Sequence, residues 1–275
     1  MSILQPKLKS NKITGSDVLL NNWDVGYKVT DESGKLIRSK NPHKSYESSS
    51  TLKTALMHLF LNKVSQNELG LDHVFSIKDS QRSNGSGIVN WTDWNSLPLH
   101  AVIELTCVYS DCTTTNMIID YLGGQQMVNE LFKNSGYKYT KLNQPSLMFD
   151  ESKPRMESVG TTTPDEASKW LRMLLEDFSI SPEIKQHFIT STQSIHTPWL
   201  DLGAEHHPLI KTGSMIDIGP AGTSVFNANG RVSTGKGLLF FAFFSRGDLR
   251  GQAVYAPEEA KRLISKYIQD TVLKI

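Results

Sequence analysis

Apolar and polar positions along the chain follow three successive patterns, with changes near residues 50 and 208. Trp23–Thr30 and Lys35–Ser39 alternate apolar and polar side chains around a Ser33-Gly34 turn, which predicts a β-hairpin. From Ser50 to about Ser191 the spacing becomes helical, with apolar stripes in Leu52–Val64, Leu99–Cys107 and Thr113–Leu122. Thr163-Pro164-Asp165-Glu166 reads as a capping box with proline at the first helical position, and Ser181-Pro182-Glu183 repeats that start signal. Between these stripes, Asp79–Gly87 is polar and rich in Ser and Gly, which predicts a surface loop at a cleft rim. After Pro208 the period returns to that of strands, in Pro208–Met215, Thr223–Ala228 and Gly237–Ser245, and Asn229-Gly230 is a hairpin signal. From Pro257 onward, Ala260, Leu263, Ile264, Tyr267, Ile268 and Val272 share one helical face that should pack on those strands.

This order predicts an α/β (α+β) architecture. Residues 1–48 and 192–275 would form an α/β lobe, and residues 49–191 an inserted helical lobe, in one domain spanning 1–275. A cleft at the lobe junction is the expected site. The chain shows no internal repeat and no low-complexity linker.

Charge narrows the partners. The 29 basic and 28 acidic residues leave a net charge of +1, which points away from nucleic acid and other polyanions. Three lysines in Lys7–Lys12 read as a frayed, solvated terminus. The 2 cysteines, Cys107 and Cys112, read as reduced thiols, with Cys107 in the core. No Cys or His spacing suggests a metal site, His206-His207 being a weak pattern, and no cofactor is expected. No apolar run approaches the ~18 residues of a membrane span. Met1–Leu20 lacks the basic and apolar regions of an export signal. The expectation is a cytoplasmic protein if the chain is untrimmed, and an extracytoplasmic one if a leader was removed. Oligomeric state is left open.

Three short motifs carry candidate chemistry. Ser50-Thr51-Leu52-Lys53 opens the first apolar helical run, so Ser50 and Lys53 share a face at i and i+3. Desolvation among Leu52, Ala55, Leu56, Leu59 and Phe60 would lower the lysine pKa, letting a neutral amine take the serine proton. A serine cap followed by a solvated lysine is the ordinary alternative. Ser110-Asp111-Cys112 falls between two helical stripes, where Ser110 could relay a proton or where Ser110 or Asp111 could cap the next helix. Lys211-Thr212-Gly213-Ser214 reads as a strand whose lysine and hydroxyls suit a carboxylate and whose glycine lets substrate approach the backbone.

Together and in this order, S-x-x-K, S-D-x and K-T-G resemble the signature of class A β-lactamases and penicillin-binding proteins. Val25-Gly26-Tyr27-Lys28-Val29 with Glu32-Ser33-Gly34 is similar to that family's first hairpin. Gly160-Thr161-Thr162-Thr163-Pro164, leading into Leu171–Leu175, is similar to the segment after its omega loop. The resemblance spans roughly residues 22–275. It implies an antiparallel sheet flanked by helices with an inserted all-helical lobe. It also implies an acyl-enzyme on Ser50, with Lys53 as general base or proton relay and Ser110 as the proton shuttle to the leaving group. Lys211 would bind a substrate carboxylate and help hold Ser110, with Thr212 and Ser214 as hydroxyl donors. The backbone N–H groups of Ser50 and Ser214 would form the oxyanion hole.

Two departures bear on activity. Cys112 replaces the family's asparagine, and a thiol is a weak substitute for an amide in contact with the lysine and a substrate. The E-x-x-L-N pattern that supplies the deacylating glutamate is absent from Gln144–Gly160. Counting back from Thr163-Pro164 places its position near Leu147, and Asp150, Glu151 and Glu157 are replacements only in a rebuilt loop. Acylation is therefore expected, with slow deacylation. The expected partner is a small molecule carrying a carboxylate. Three functions remain open: a β-lactam hydrolase, a penicillin-binding or esterase-like enzyme for a peptide or ester, and a non-catalytic binding module. Trp91, Trp94, Tyr109 and Trp199 are candidates for the cleft wall or the core, and Arg231 and Arg246 for a carboxylate site or plain strand surface.

Overall fold

The computed structural model describes residues 23–147, 159–193, 199–218, 223–249 and 256–275. Strands β1 (Asp24–Asp31), β2 (Leu36–Lys40) and β3 (Tyr46–Glu47) lead into a 3₁₀ turn, Ser49–Leu52, and helix α1 (Lys53–Gln66). There follow β4 (Val74–Ser76), β5 (Ser96–Pro98), α2 (Leu99–Cys107), α3 (Cys112–Tyr121), α4 (Gly124–Asn134), β6 (Lys141–Leu142) and β7 (Gly160–Thr162). The chain continues through α5 (Pro164–Glu176), α6 (Pro182–Gln193), β8 (Leu209–Ile218), β9 (Thr223–Thr234), β10 (Gly237–Asp248) and α7 (Ala256–Val272).

The main sheet is antiparallel with strand order β2-β1-β10-β9-β8, so the first strand pairs with the last. Leu238–Phe244 in β10 is an unbroken apolar run, the pattern of a strand covered on both faces. Leu239, Phe241 and Phe243 face one apolar cluster with Phe226, Ala260, Ile264 and Ile268, so α7 packs by its predicted stripe. Phe240, Ala242 and Phe244 face the other cluster, which holds Leu52, Leu56, Trp170 and Leu171 from the 3₁₀ turn, α1 and α5. Burial of each of the larger side chains among these contributes about 1.5–3 kcal/mol. The mixed α/β architecture with an antiparallel sheet is the one expected.

Several local expectations are corrected. Asn229-Gly230 is not a hairpin: β9 runs through it, and the tight turn closes at Thr234–Gly237, where Gly237 takes φ +110°. A Cβ on Gly230 would collide with the Leu209 carbonyl oxygen and lie 3.0 Å from Ile210 Cα. Glycine is there to let β8 approach, and Asn229 is buried, accepting from the Thr54 hydroxyl. Asp79–Gly87 is not merely a solvated loop, because Gln81 and Ser83 are buried. Ser83 N–H donates to Thr113 Oγ1 at 3.0 Å, and the Asn116 amide donates to the Gln81 carbonyl at 3.0 Å. The capping box at Thr163 is one-sided. Thr163 Oγ1 accepts from Glu166 N–H, while the Glu166 carboxylate turns to Tyr139 N–H and the Thr140 hydroxyl.

Candidate active site

Ser50 lies half-buried in the 3₁₀ turn, not at an α-helical cap, and Lys53 is the first residue of α1. The turn is fixed from both sides. Asn227 of β9, fully buried, donates its amide to the Glu47 carbonyl at 2.7 Å, with longer contacts to Ser48 O and Ser49 Oγ, and accepts from Ser245 N–H. Gly213 of β8 lies directly against the turn, since a Cβ there would sit 2.7 Å from Ser50 N and 2.8 Å from Thr51 N. The glycine of the K-T-G segment thus admits the protein's own backbone, where the sequence suggested room for substrate.

Ser110 sits in the α2–α3 connection with φ +54°, a left-handed conformation that costs a non-glycine residue about 1–2 kcal/mol. The buried Asp111 carboxylate holds that loop, accepting from Thr114 N–H at 2.9 Å, Ile88 N–H at 2.7 Å and Val89 N–H at 2.9 Å. Asp111 therefore caps α3, as one sequence alternative had it, and Ser110 is left to point elsewhere. Its hydroxyl accepts from Lys53 Nζ at 3.1 Å and from Lys211 Nζ at 3.0 Å. Lys53 also donates to the Ser110 carbonyl, and Lys211 to the Thr212 carbonyl at 3.0 Å.

Both amines are buried, with Lys53 only 1% exposed. Desolvation holds the Lys53 pKa below the ordinary lysine value, while the neighbouring Cys112 and Asp111 pull it back up. Desolvation, reinforced by the adjacent Lys53 charge, pushes Lys211 down to about 7. Two ammonium groups on one hydroxyl repel, so burial and charge together favour the loss of one proton from the pair. Cys112 Sγ lies 3.7 Å from Lys53 Nζ, a long contact where the family's asparagine would place an amide. Cys107 is buried as expected, and burial pushes its thiol up to about 12, so it stays protonated.

Ser50, Ser110, Lys211, Thr212, Gly213 and Ser214 line a single cleft of about 520 Å³, with Lys53 buried beside it. Tyr109, Trp199, Ser86 and Lys261 contribute to its wall, with Cys107, Val108 and Ile210. Trp91 and Trp94 are exposed and do not line it. Arg246 is bound to Asp24 at 2.9 Å and stacks over Tyr46, a strand-surface role, and Arg231 does not line the cleft either. Asp150, Glu151 and Glu157 lie outside the described residues, whereas Leu147 is buried, its N–H donating to Asn116 Oδ1 at 2.7 Å.

Sequence reasoning missed Asn227, although buried polar residues alternating as Asn227 and Asn229 in an apolar strand are a readable sign of a supported site. It also missed the grouping of His100, Glu104 and His187 on α2 and α6. Among the described residues, no helix is long and apolar enough to cross a membrane.

Solved structures share this arrangement of elements. A β-lactamase from Sphaerobacter thermophilus matches at TM-score 0.71 and 21% identity, over 96% of this chain and 98% of its own. A class A β-lactamase representative from Bacteroides cellulosilyticus matches at TM-score 0.74 and 22% identity, over 93% and 96%. PBP-A, in a leucine-to-glutamate variant held as an acyl-enzyme complex with penicillin G, matches at TM-score 0.70 and 20% identity, over 93% and 94%. At the level of sequence, the model of the β-lactamase enzyme family matches residues 17–267, almost the whole chain. The chain belongs to that family and is a hydrolase of the serine β-lactamase type.

Proposed function

We propose that the chain opens a β-lactam or related amide or ester through an acyl-enzyme on Ser50, and that deacylation is slow. The observation that carries this reading is the convergence of the Lys53 and Lys211 amines on the Ser110 hydroxyl at the wall of the Ser50 cleft. A neutral Lys53 takes the Ser50 proton as Oγ attacks the carbonyl carbon, and the oxyanion is received by the N–H groups of Ser50 and Ser214. Such donors typically contribute about 10²–10³ in rate. The proton then passes through Ser110 to the leaving nitrogen or oxygen. Lys211, Thr212 and Ser214 hold the substrate carboxylate as hydrogen-bond donors.

Slow deacylation rests on Leu147. The position counted for the water-activating glutamate falls at a buried apolar side chain, which cannot act as a base. This same feature favours the second reading, a penicillin-binding or esterase-like enzyme whose substrate is a peptide or ester. Cys112 in place of an amide also weakens the case for acylamino β-lactams.

Time-resolved intact mass spectrometry with a penicillin tests the proposal. A Ser50-dependent adduct that persists for many minutes is expected, with Ser50→Ala and Lys53→Ala giving none while retaining the wild-type melting profile. An adduct that clears as hydrolysed product accumulates would overturn slow deacylation. Labelling of Lys53→Ala at the wild-type rate would remove Lys53 as the base. No adduct at all would remove lactams and leave the ester or peptide reading, to be checked with activated esters.

A further inference from the structure

We propose that His100, Glu104 and His187 form a binding site for a divalent transition-metal ion, Zn²⁺ being the expected occupant, which clamps α2 to α6. His100 and Glu104 stand at i and i+4 on α2 and so share a face. His187 of α6 faces them, and one donor atom from each of the three residues lies within 4.8 Å of the others. His187 Nε2 is 3.4 Å from Glu104 Oε1, and the two imidazole rings are 6.0 Å apart at 77°. A tetrahedral ion with bonds of about 2.0–2.2 Å needs donor separations near 3.3–3.6 Å, within reach of small side-chain rotations. The other contacts of His187 Nε2, to the His100 carbonyl at 3.3 Å and the Ser191 hydroxyl at 3.4 Å, are long and are given up at little cost.

The donor chemistry selects the ion class. Two imidazoles and one carboxylate suit zinc and its late-transition neighbours, whereas Ca²⁺ and Mg²⁺ prefer all-oxygen shells. Among the described residues, Glu104 pairs with His187 and with no Lys or Arg, so no described ammonium or guanidinium competes for the carboxylate. The Glu104 side chain is 46% exposed and that of His187 22%, which leaves an entry path and room for water in the remaining coordination position. None of the three residues lines the Ser50 cleft, so the site is separate from the acylation chemistry. It is nevertheless mechanically close. Cys107 of α2 and Phe188 and Thr192 of α6 wall a small space behind Lys211, so an ion between these helices would stiffen the floor under that lysine.

Calorimetric titration of tag-free, chelator-treated protein with ZnCl₂, with MgCl₂ as a control, tests this. One Zn²⁺ per chain is expected, with Mg²⁺ silent and Co²⁺ giving tetrahedral d–d absorption. His100→Ala and His187→Ala should each weaken Zn²⁺ by more than the ~10–100-fold typical of outer-shell partners. Zn²⁺ should raise the melting temperature of the wild type but not of His187→Ala. Glu104→Gln, nearly isosteric, keeps the test interpretable if a histidine variant folds poorly, and should also lose affinity. Absence of saturable Zn²⁺ binding would overturn the proposal. So would binding that survives all three substitutions but is lost in His206→Ala, which would place the ion on the His206-His207 pair.

Discussion

Lys211 is where burial and charge meet most directly, and its titration can be worked through with sign. Folding lowers its pKa from 10.5 to about 7, so between those values the unfolded chain holds more protons than the folded one. Stability must then rise with pH across that window, and the full penalty is present below pH 7. Lys211→Met removes the penalty. It should raise the melting temperature most at and below neutral pH, with the gain shrinking toward about pH 10. A gain that is flat with pH would mean that Lys211 is not titrating as its burial dictates. The same lysine should also shape acylation, since its attraction for a carboxylate fades as it deprotonates. An alkaline limb near neutrality is expected in the wild type. Lys211→Arg, charged above pH 12, should move that limb upward by more than ~1 unit even though its different shape slows the reaction. At this scale the sequence was most legible. Ser50, Lys53, Ser110 and Lys211 stand in short motifs, and their gathering at one cleft is what those motifs led one to expect. For Asn227 only the polar alternation with Asn229 was readable; its partners Glu47 and Ser48 lie far away in sequence and meet it only through the sheet.

Glycines at the level of strands show why pattern and meaning can part. Asn229-Gly230 carries the dipeptide of a hairpin, yet it lies mid-strand because β8 passes too close for a side chain. The actual turn uses Thr234, Gly235, Lys236 and Gly237, with Thr234 Oγ1 accepting from Lys236 N–H and donating to the Gly237 carbonyl. The two assignments predict opposite results. Gly230→Ala should destabilise by at least ~1–3 kcal/mol, since overpacking against backbone has little room to relax. Gly235→Ala, which meets nothing within 4 Å, should be close to neutral. Chemical denaturation of both variants decides it, and equal effects would contradict the register of β8 on β9. Two helices, by contrast, were read almost to the residue: Leu99–Cys107 agrees at both ends, and the next starts one residue early, at Cys112, whereas Gly124–Asn134 was not singled out. Apolar stripes at helical spacing are repeated evidence, whereas a dipeptide is a single observation that one tertiary contact can override.

For the molecule as a whole, the sheet that joins both ends of the described chain also brings the candidate site together. β8 supplies Lys211 and Gly213, β9 supplies Asn227, and both press on the turn that holds Ser50. The overall α/β order was visible in the change of period near residues 50 and 208. The docking of α2 on α6, and with it the meeting of His100, Glu104 and His187, was not visible, because no local pattern encodes which helix faces which. On the proposed mechanism, acylation needs only this assembled corner. On the same mechanism, deacylation would call for a carboxylate over the ester, and the position counted for it in the 144–160 segment falls near Leu147, packed in the apolar cluster with its carbonyl accepting from Ser83 and its N–H donating to Asn116. Leu147→Glu should therefore shorten the lifetime of a penicillin adduct, by about 10² if the new carboxylate reaches the water as a general base. The same change buries a charge in place of an apolar side chain and should lower the melting temperature, most at neutral pH and less in acid, where the carboxyl is protonated. Both effects are read on one sample, by mass spectrometry and thermal melting. A variant that folds, forms the Ser50 adduct and clears it no faster than the wild type would show that the missing base belongs elsewhere in the segment.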